Sequence, residues 1–288
     1  MNGNVMHAYN NQHLLDAYIS AKRIEGCSEK TLAYYGLTIK QMYATVNKSV
    51  PDITTDDVRV FLGQHQKRTN CTNVTLNNMR RNLSSFFGWL ENEEHIIKSP
   101  MRRIKNIKTD KLIKEVYSDE QLEAVRKACA NLRDAAIVNL LYSTGIRISE
   151  LVLLNRKNVD LENRECKVFG KGGKERIAYF DGRTKLSVEA YLATRTDDNE
   201  ALFVSLNNPT SRLGHGGIET RLREIGHNLG FRVHPHKFRR TIATHAIDKG
   251  MPIEQVQQML GHVRIDTTMH YAMVNQANVK NSHRKYIG

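Results

Sequence analysis

Residues 166–180 read CKVFGKGGKERIAYF, and this stretch decides what fold the second half of the chain can adopt. Two short runs, Cys166–Phe169 and Arg176–Phe180, flank Gly170-Lys171-Gly172-Gly173. Glycines tolerate the positive φ that tight turns need, so the spacing predicts a β-hairpin with a lysine at its tip. Working outward, the period changes to a helical one on both sides. Upstream, Ser118-Asp119-Glu120-Gln121 is a capping box opening a helix. A second helix runs through Ala135 to Tyr142 and stops at Gly145, and a short one carries Ile148, Leu151 and Leu154. Downstream, helices resume near Lys185, with Leu202–Val204 as the only further strand candidate. The C-terminal part therefore reads as mixed α/β, mostly helical with a small sheet.

The N-terminal part reads as four helices. Leu14, Leu15, Tyr18 and Ile19 form an apolar stripe ending near Gly26, and Leu32, Tyr35, Ile39 and Met42 form another after Ser28. Thr54 or Thr55 caps a third helix with Val58, Phe61 and Leu62. A fourth, from Thr72 to Glu93, places Leu76, Met79, Leu83, Phe86, Phe87 and Leu90 on one side. Pro100 opens PMRRIKNIKTDKLIK (100–114), where six basic residues face one acid, Asp110. The expected organisation is a helical domain over 1–99, a basic linker over 100–114 and a second domain over 115–288.

The 288 residues carry 43 Lys and Arg against 30 Asp and Glu, a net charge of +13. The surplus is +6 over residues 1–108 and +7 over 109–288, so both halves suit a polyanion such as a nucleic acid. A 40% hydrophobic and 25% charged composition excludes global disorder. The longest apolar stretch, 135–142, is interrupted by Asn139 and is far below the ~20 residues that cross a bilayer. No secretory signal opens the chain. Cys27, Cys71, Cys129 and Cys166 are widely spaced with no CxxC pair, which fits reduced thiols and a cytoplasmic protein without a zinc ribbon.

Five segments carry chemistry. TGIRISEL (144–151) puts Arg147 just after a helix break, with Glu150 three residues on. GKGGKER (170–176) puts Lys171 on the turn, and HPHKFRRTIATH (234–245) puts His236 and Arg239 one helical turn apart. QQMLGH ends at His262, and TTMHY ends at Tyr271, nine residues later. Taken singly, each has a bland reading: an arginine ion-paired to Glu150, a solvated turn lysine, packed histidines. His234, His236, His245, His262 and His270 are also possible metal ligands, but no HExxH accompanies them and no cysteine lies nearby.

The order and spacing of the five segments resemble the tyrosine recombinases, the phage-integrase family, over nearly the whole chain. The resemblance implies an N-terminal four-helix, SAM-like core-binding domain and a C-terminal catalytic domain, together clamping duplex DNA. It implies that Arg147, Lys171, His236, Arg239, His262 and Tyr271 are catalytic, with Glu150 supporting them. It also implies cutting and rejoining of DNA strands through a 3′-phosphotyrosine and a Holliday junction, by a homotetramer on two paired sites, with no cofactor and no metal. The nearest types are Xer-like recombinases and simple integrases or invertases. Lys30, Arg80, Arg81 and Arg103 are the expected DNA contacts of the first part, and the tail from Ala272 is expected to dock on a neighbouring protomer.

The residue types suit this chemistry on their own terms. A tyrosine supplies a phenolate nucleophile, two arginines supply planar forks for non-bridging oxygens, a lysine supplies a proton, and histidines titrate near neutrality. A type IB topoisomerase uses similar chemistry. A non-catalytic DNA-binding regulator would account for the charge but would have no use for Tyr271 and the ordered cations.

Overall fold

The structure, a computed structural model, describes residues 2–109, 115–170, 175–207, 210–261 and 287, with side chains from Asn11 onward. It divides into two compact units, Met1–Leu112 and Ile113–Gly288.

In the first unit the four expected helices are α1 (Asn2–Ile24), α2 (Glu29–Val46), α3 (Thr55–Thr69) and α4 (Asn73–Asn92). Their starts are fixed locally. Ser28 accepts the Thr31 N–H at α2, Thr54 and Asp57 form a reciprocal capping box at α3, and Thr72 accepts the Thr75 N–H at α4. The stripes meet in one core containing Leu15, Tyr18, Ile39, Met42, Phe61, Leu83, Phe86 and Phe87. Removing any one of these three buried Phe rings would cost about 3–5 kcal/mol.

The segment opening at Pro100 belongs to this core. Pro100 and Met101 are buried, Ile104 and Ile107 pack against the cluster, and the Ile107 N–H donates to Asn77 Oδ1 at 3.2 Å. Arg102, Arg103, Lys105 and Lys108 are exposed, so the charge run is the solvated side of a packed strap.

The second unit contains α5 (Asp119–Lys127), α6 (Leu132–Thr144), α7 (Ile148–Leu153), β1 (Val159–Asp160), β2 (Glu165–Phe169), β3 (Glu175–Tyr179), α8 (Gly182–Ala193), α9 (His215–Leu229), α10 (Pro235–Asp248) and α11 (Ile253–Leu260). Helix α6 is the centre. Ala136, Ile137, Val138, Leu140 and Leu141 are buried, and α8 and α10 lie against it. The sheet is antiparallel in the order β1-β2-β3, with Cys166 opposite Ala178 and Val168 opposite Arg176. Cys166, Val168 and Ala178 turn into the core.

Two strand expectations change. Ala201 and Val204 form single bridges to Asn155 and Arg212 and no strand. Arg195 ties up the local backbone instead, donating to the carbonyls of Asn199, Ala201 and Leu202. The two-residue β1 was not foreseen, since two residues are too short to show a period.

The four cysteines are free thiols, and burial pushes Cys129 and Cys166 up to about 12. Thiols so poorly ionised are packing groups. Among the described residues no helix is long and apolar enough to cross a membrane.

Candidate active site

Three helix ends of the second unit build the site. Helix α6 ends at Thr144, and Gly145 takes the left-handed conformation (φ 61°), returning its N–H to Leu141 O at 3.1 Å. The chain then turns so that Arg147 becomes the extended residue heading α7. Helix α11 ends the same way, at Gly261 with φ 62°. It is seated on α10 by a small apolar cluster of Ala243, Ala246, Val256 and Leu260.

A side chain at Gly145 would put Cβ 2.9 Å from both Ile242 Cγ2 and Leu260 Cδ2, and a left-handed L-residue costs roughly 1–2 kcal/mol by itself. Gly145→Ala is therefore expected to lower stability by about 2 kcal/mol. Because the Gly145 carbonyl holds a site arginine, the strand cleavage that the resemblance implies should also fall at least ~10-fold. Thermal melting and single-turnover cleavage measure the two effects separately.

That arginine is Arg239, one turn into α10. It is 2% exposed, yet it is fully engaged: Nη1 donates to Gly145 O and Nη2 to Leu260 O, both at 2.6 Å. Both acceptors lie at helix C-termini, where carbonyls carry partial negative charge, so a buried guanidinium is stabilised there. His236, in the first turn of the same helix, is exposed.

Arg147 is held by a different device. Glu150, at the third position of α7, accepts the Arg147 backbone N–H at 2.7 Å on Oε2 and Arg147 Nη1 at 3.0 Å on Oε1. Arg147 Nη2 reaches Gly261 O at 3.5 Å. Glu150 is 2% exposed whereas the Arg147 side chain is 37% exposed. The ion pair read from the sequence as ordinary thus leaves one edge of the guanidinium open to a ligand.

The sequence reading missed Arg176. It lies on β3 at a core-facing position, 16% exposed, and its Nη2 donates to Glu150 Oε2 at 2.9 Å. The signal was the inverted alternation of β3, where Arg176 and Ala178 turn inward while Ile177 and Tyr179 are exposed. A charged residue on the inner face of a strand requires a buried acid.

Arg147 and Arg239 converge on the C-terminus of α11, the residue before His262. Lys171, His262 and Tyr271 lie outside the described residues, as does the tail from Ala272 apart from exposed Ile287. Among the described residues no three His, Cys, Asp or Glu side chains gather as metal ligands. His234 is pushed down to about 4 by burial, then by the charges of Arg240, Arg232 and their neighbours, so it is neutral at pH 7. His245 bonds Tyr142 Oη through Nδ1 at 3.1 Å.

In the first unit, Lys30 is exposed in the first turn of α2, and Arg81 and Arg103 are exposed on α4 and the strap. Arg80 is half-buried on α4, with Nε on Asn77 Oδ1 at 3.1 Å, and burial together with Arg81 lowers its pKa.

Comparison with known proteins places these features in company. Residues 112–278 match the phage integrase family, and residues 14–97 match the phage integrase N-terminal SAM-like domain. The tyrosine recombinase XerC of Staphylococcus aureus (strain USA300 / TCH1516) is 30% identical over 288 residues, covering 93% of this chain and 94% of that protein. Among solved structures, the recombinase XerH bound to palindromic difH substrate has a TM-score of 0.75 at 19% identity, covering 91% of this chain and 81% of that one. The Tn1549 transposon integrase in complex with a circular intermediate DNA has a TM-score of 0.75 at 17% identity, covering 94% and 99%. At such identities the likeness is one of fold.

Proposed function

The chain belongs to the phage integrase family and is a tyrosine site-specific recombinase; on that premise we propose how its own residues cut and rejoin duplex DNA. The observation that carries the proposal is the pair Arg147 and Arg239. Their guanidiniums are fixed on the C-terminal carbonyls of α6 and α11, directly before His262 and ten positions before Tyr271.

The phenolic oxygen of Tyr271 attacks the scissile phosphorus, forming a 3′-phosphotyrosine as the bond to the 5′ oxygen breaks. That oxygen leaves with a proton from Lys171. The phenol's own proton passes to His236 or His262, since an ordinary tyrosine pKa near ~10 leaves little phenolate at pH 7. The open edge of Arg147 takes a non-bridging oxygen, and Arg239, its fork held by the Gly145 and Leu260 carbonyls, adds a fixed positive charge beside it; the charge on these oxygens grows in the pentacoordinate transition state. The guanidiniums of Arg147 and Arg176 share the carboxylate of Glu150 while that of Arg239 sits on two carbonyls, so these four groups together bring two net positive charges to that transition state. A 5′ hydroxyl from the partner strand then attacks the phosphotyrosine and regenerates Tyr271. One phosphodiester is exchanged for another, so the balance requires no nucleotide and no metal ion.

The first unit, with exposed Lys30, Arg81 and Arg103, supplies sequence-independent phosphate contacts, and the second supplies the chemistry. A homotetramer on two paired sites exchanges the strands through a Holliday junction, in the cytoplasm where the DNA lies. The test is strand exchange between two differently labelled cognate duplexes, in excess EDTA and at one fixed ionic strength. Recombinant duplexes are expected at an undiminished rate. Relaxation of supercoils without exchanged flanks would point to a topoisomerase, and a requirement for a divalent ion would contradict charge stabilisation by arginines.

A further inference from the structure

We propose that Arg176 is a positioning residue for Arg147, acting through the carboxylate the two share, an inference that rests on Arg147 binding the scissile phosphate. The Arg176 guanidinium is turned inward. Its Nε and Nη1 are completely buried, and among the described residues they have no hydrogen-bond partner. A guanidinium held under those conditions is costly, and its one close bond runs to Glu150 Oε2 at 2.9 Å.

That bond settles the carboxylate. Oε2 is taken by Arg176 and the Arg147 N–H, which leaves Oε1 directed at Arg147 Nη1. Arg176 Nη2 also lies 3.4 Å from Leu260 O, beside the Gly261 carbonyl that meets Arg147 Nη2. Arg176 therefore touches both supports of Arg147: the acid and the end of α11. Gly261 is part of the same arrangement, because a Cβ there would sit 2.6 Å from Arg176 Nε and 2.8 Å from its Cδ. Being on β3, Arg176 further links this pocket to the strand that begins four residues after Lys171. One rigid residue thus joins the hairpin, the acid and the approach to His262.

The experiment compares single-turnover cleavage by Arg147→Ala, Arg176→Ala and the double variant. The substrates are a nicked cognate duplex with an ordinary scissile phosphate and one with a methylphosphonate, whose neutral methyl removes the charge an arginine would meet. With the phosphodiester, Arg176→Ala is expected to cut cleavage on the order of 30- to 100-fold, the loss that a small misplacement of a catalytic group produces. DNA affinity should stay within about threefold, because Nε and Nη1 are buried and Nη2 is held by Glu150, which leaves the guanidinium turned away from a phosphate. On the methylphosphonate diastereomer that relieves Arg147→Ala, the Arg176→Ala penalty should shrink as well. The double variant should be no more than about twofold slower than Arg147→Ala, since the two residues act as one unit.

A penalty for Arg176→Ala that is equal on both substrates, or that multiplies fully with that of Arg147→Ala, would make Arg176 a packing residue and overturn the proposal. Unchanged cleavage by Arg147→Ala would overturn the reading of Arg147 itself, which is a separate result. If Arg176→Ala fails to fold, Arg176→Lys keeps a cation for Glu150 but loses the planar fork. It is expected to melt near the parent, to cleave more slowly, and to be relieved by the same diastereomer; a folded lysine variant without that relief would overturn the proposal equally.

Discussion

Arg239→Ala is expected to lower the single-turnover cleavage rate by about 10³-fold or more, the scale on which removing one preorganised charge donor slows a charge-developing reaction. The size follows from the burial. Arg239 is 2% exposed and bridges two helix C-termini at 2.6 Å each, so its charge is already fixed in place before a phosphate arrives. The alanine variant also leaves the Gly145 and Leu260 carbonyls without this donor, at about 1–3 kcal/mol apiece where water does not enter. Arg239→Lys separates the two consequences. It keeps the charge and most of the buried stem but cannot span two carbonyls, so it should fold and still cleave at least ~100-fold slower. Cleavage at the parental rate by a folded lysine variant would show that the fork plays no part.

Glu150→Leu should have the largest effect on stability. Glu150 lies at the core of the second unit with guanidiniums on both oxygens, and removing the acid leaves Arg176 buried beside no counter-charge. Breaking such a pair costs about 3–5 kcal/mol. For a unit of this size, that corresponds to a fall in Tm of roughly 6–20 °C. Glu150→Gln keeps the shape and one acceptor oxygen, so it should recover part of the loss. Calorimetry on the three proteins decides, and a leucine variant melting within ~2 °C of the parent would contradict the network drawn around Arg147.

What could be read from the sequence was what is decided locally. The capping box at Ser118 formed as expected and Thr54, one of the two candidates, caps α3, because a cap depends on residues three apart. The α4 stripe from Leu76 to Leu90 was legible for the same reason. Arg147, Glu150 and Arg239 were singled out through the order of their motifs, and Arg147 and Arg239 both reach the end of α11. Arg176 was not, because its partner stands 26 residues away and only the strand register turns it inward. The strap at 100–107 was hidden by its charge: Met101, Ile104 and Ile107 recur every third residue, but the exposed Arg102, Arg103 and Lys105 between them read as a linker. Leu202–Val204 looked like a strand because its side chains are apolar and buried, whereas its backbone is satisfied by single bridges and by Arg195.

The central claim is that phosphoryl transfer passes through Tyr271, with Arg147 and Arg239 stabilising the transition state. It is tested most directly by trapping the protein on a nicked cognate duplex, digesting the denatured complex and identifying the peptide that carries the nucleotide. A 3′-phosphate ester on the peptide containing Tyr271, absent when Tyr271→Phe is used although DNA binding is unchanged, is the expected result. An adduct on any other residue, or a denaturation-resistant protein–DNA complex formed by the phenylalanine variant, would contradict it.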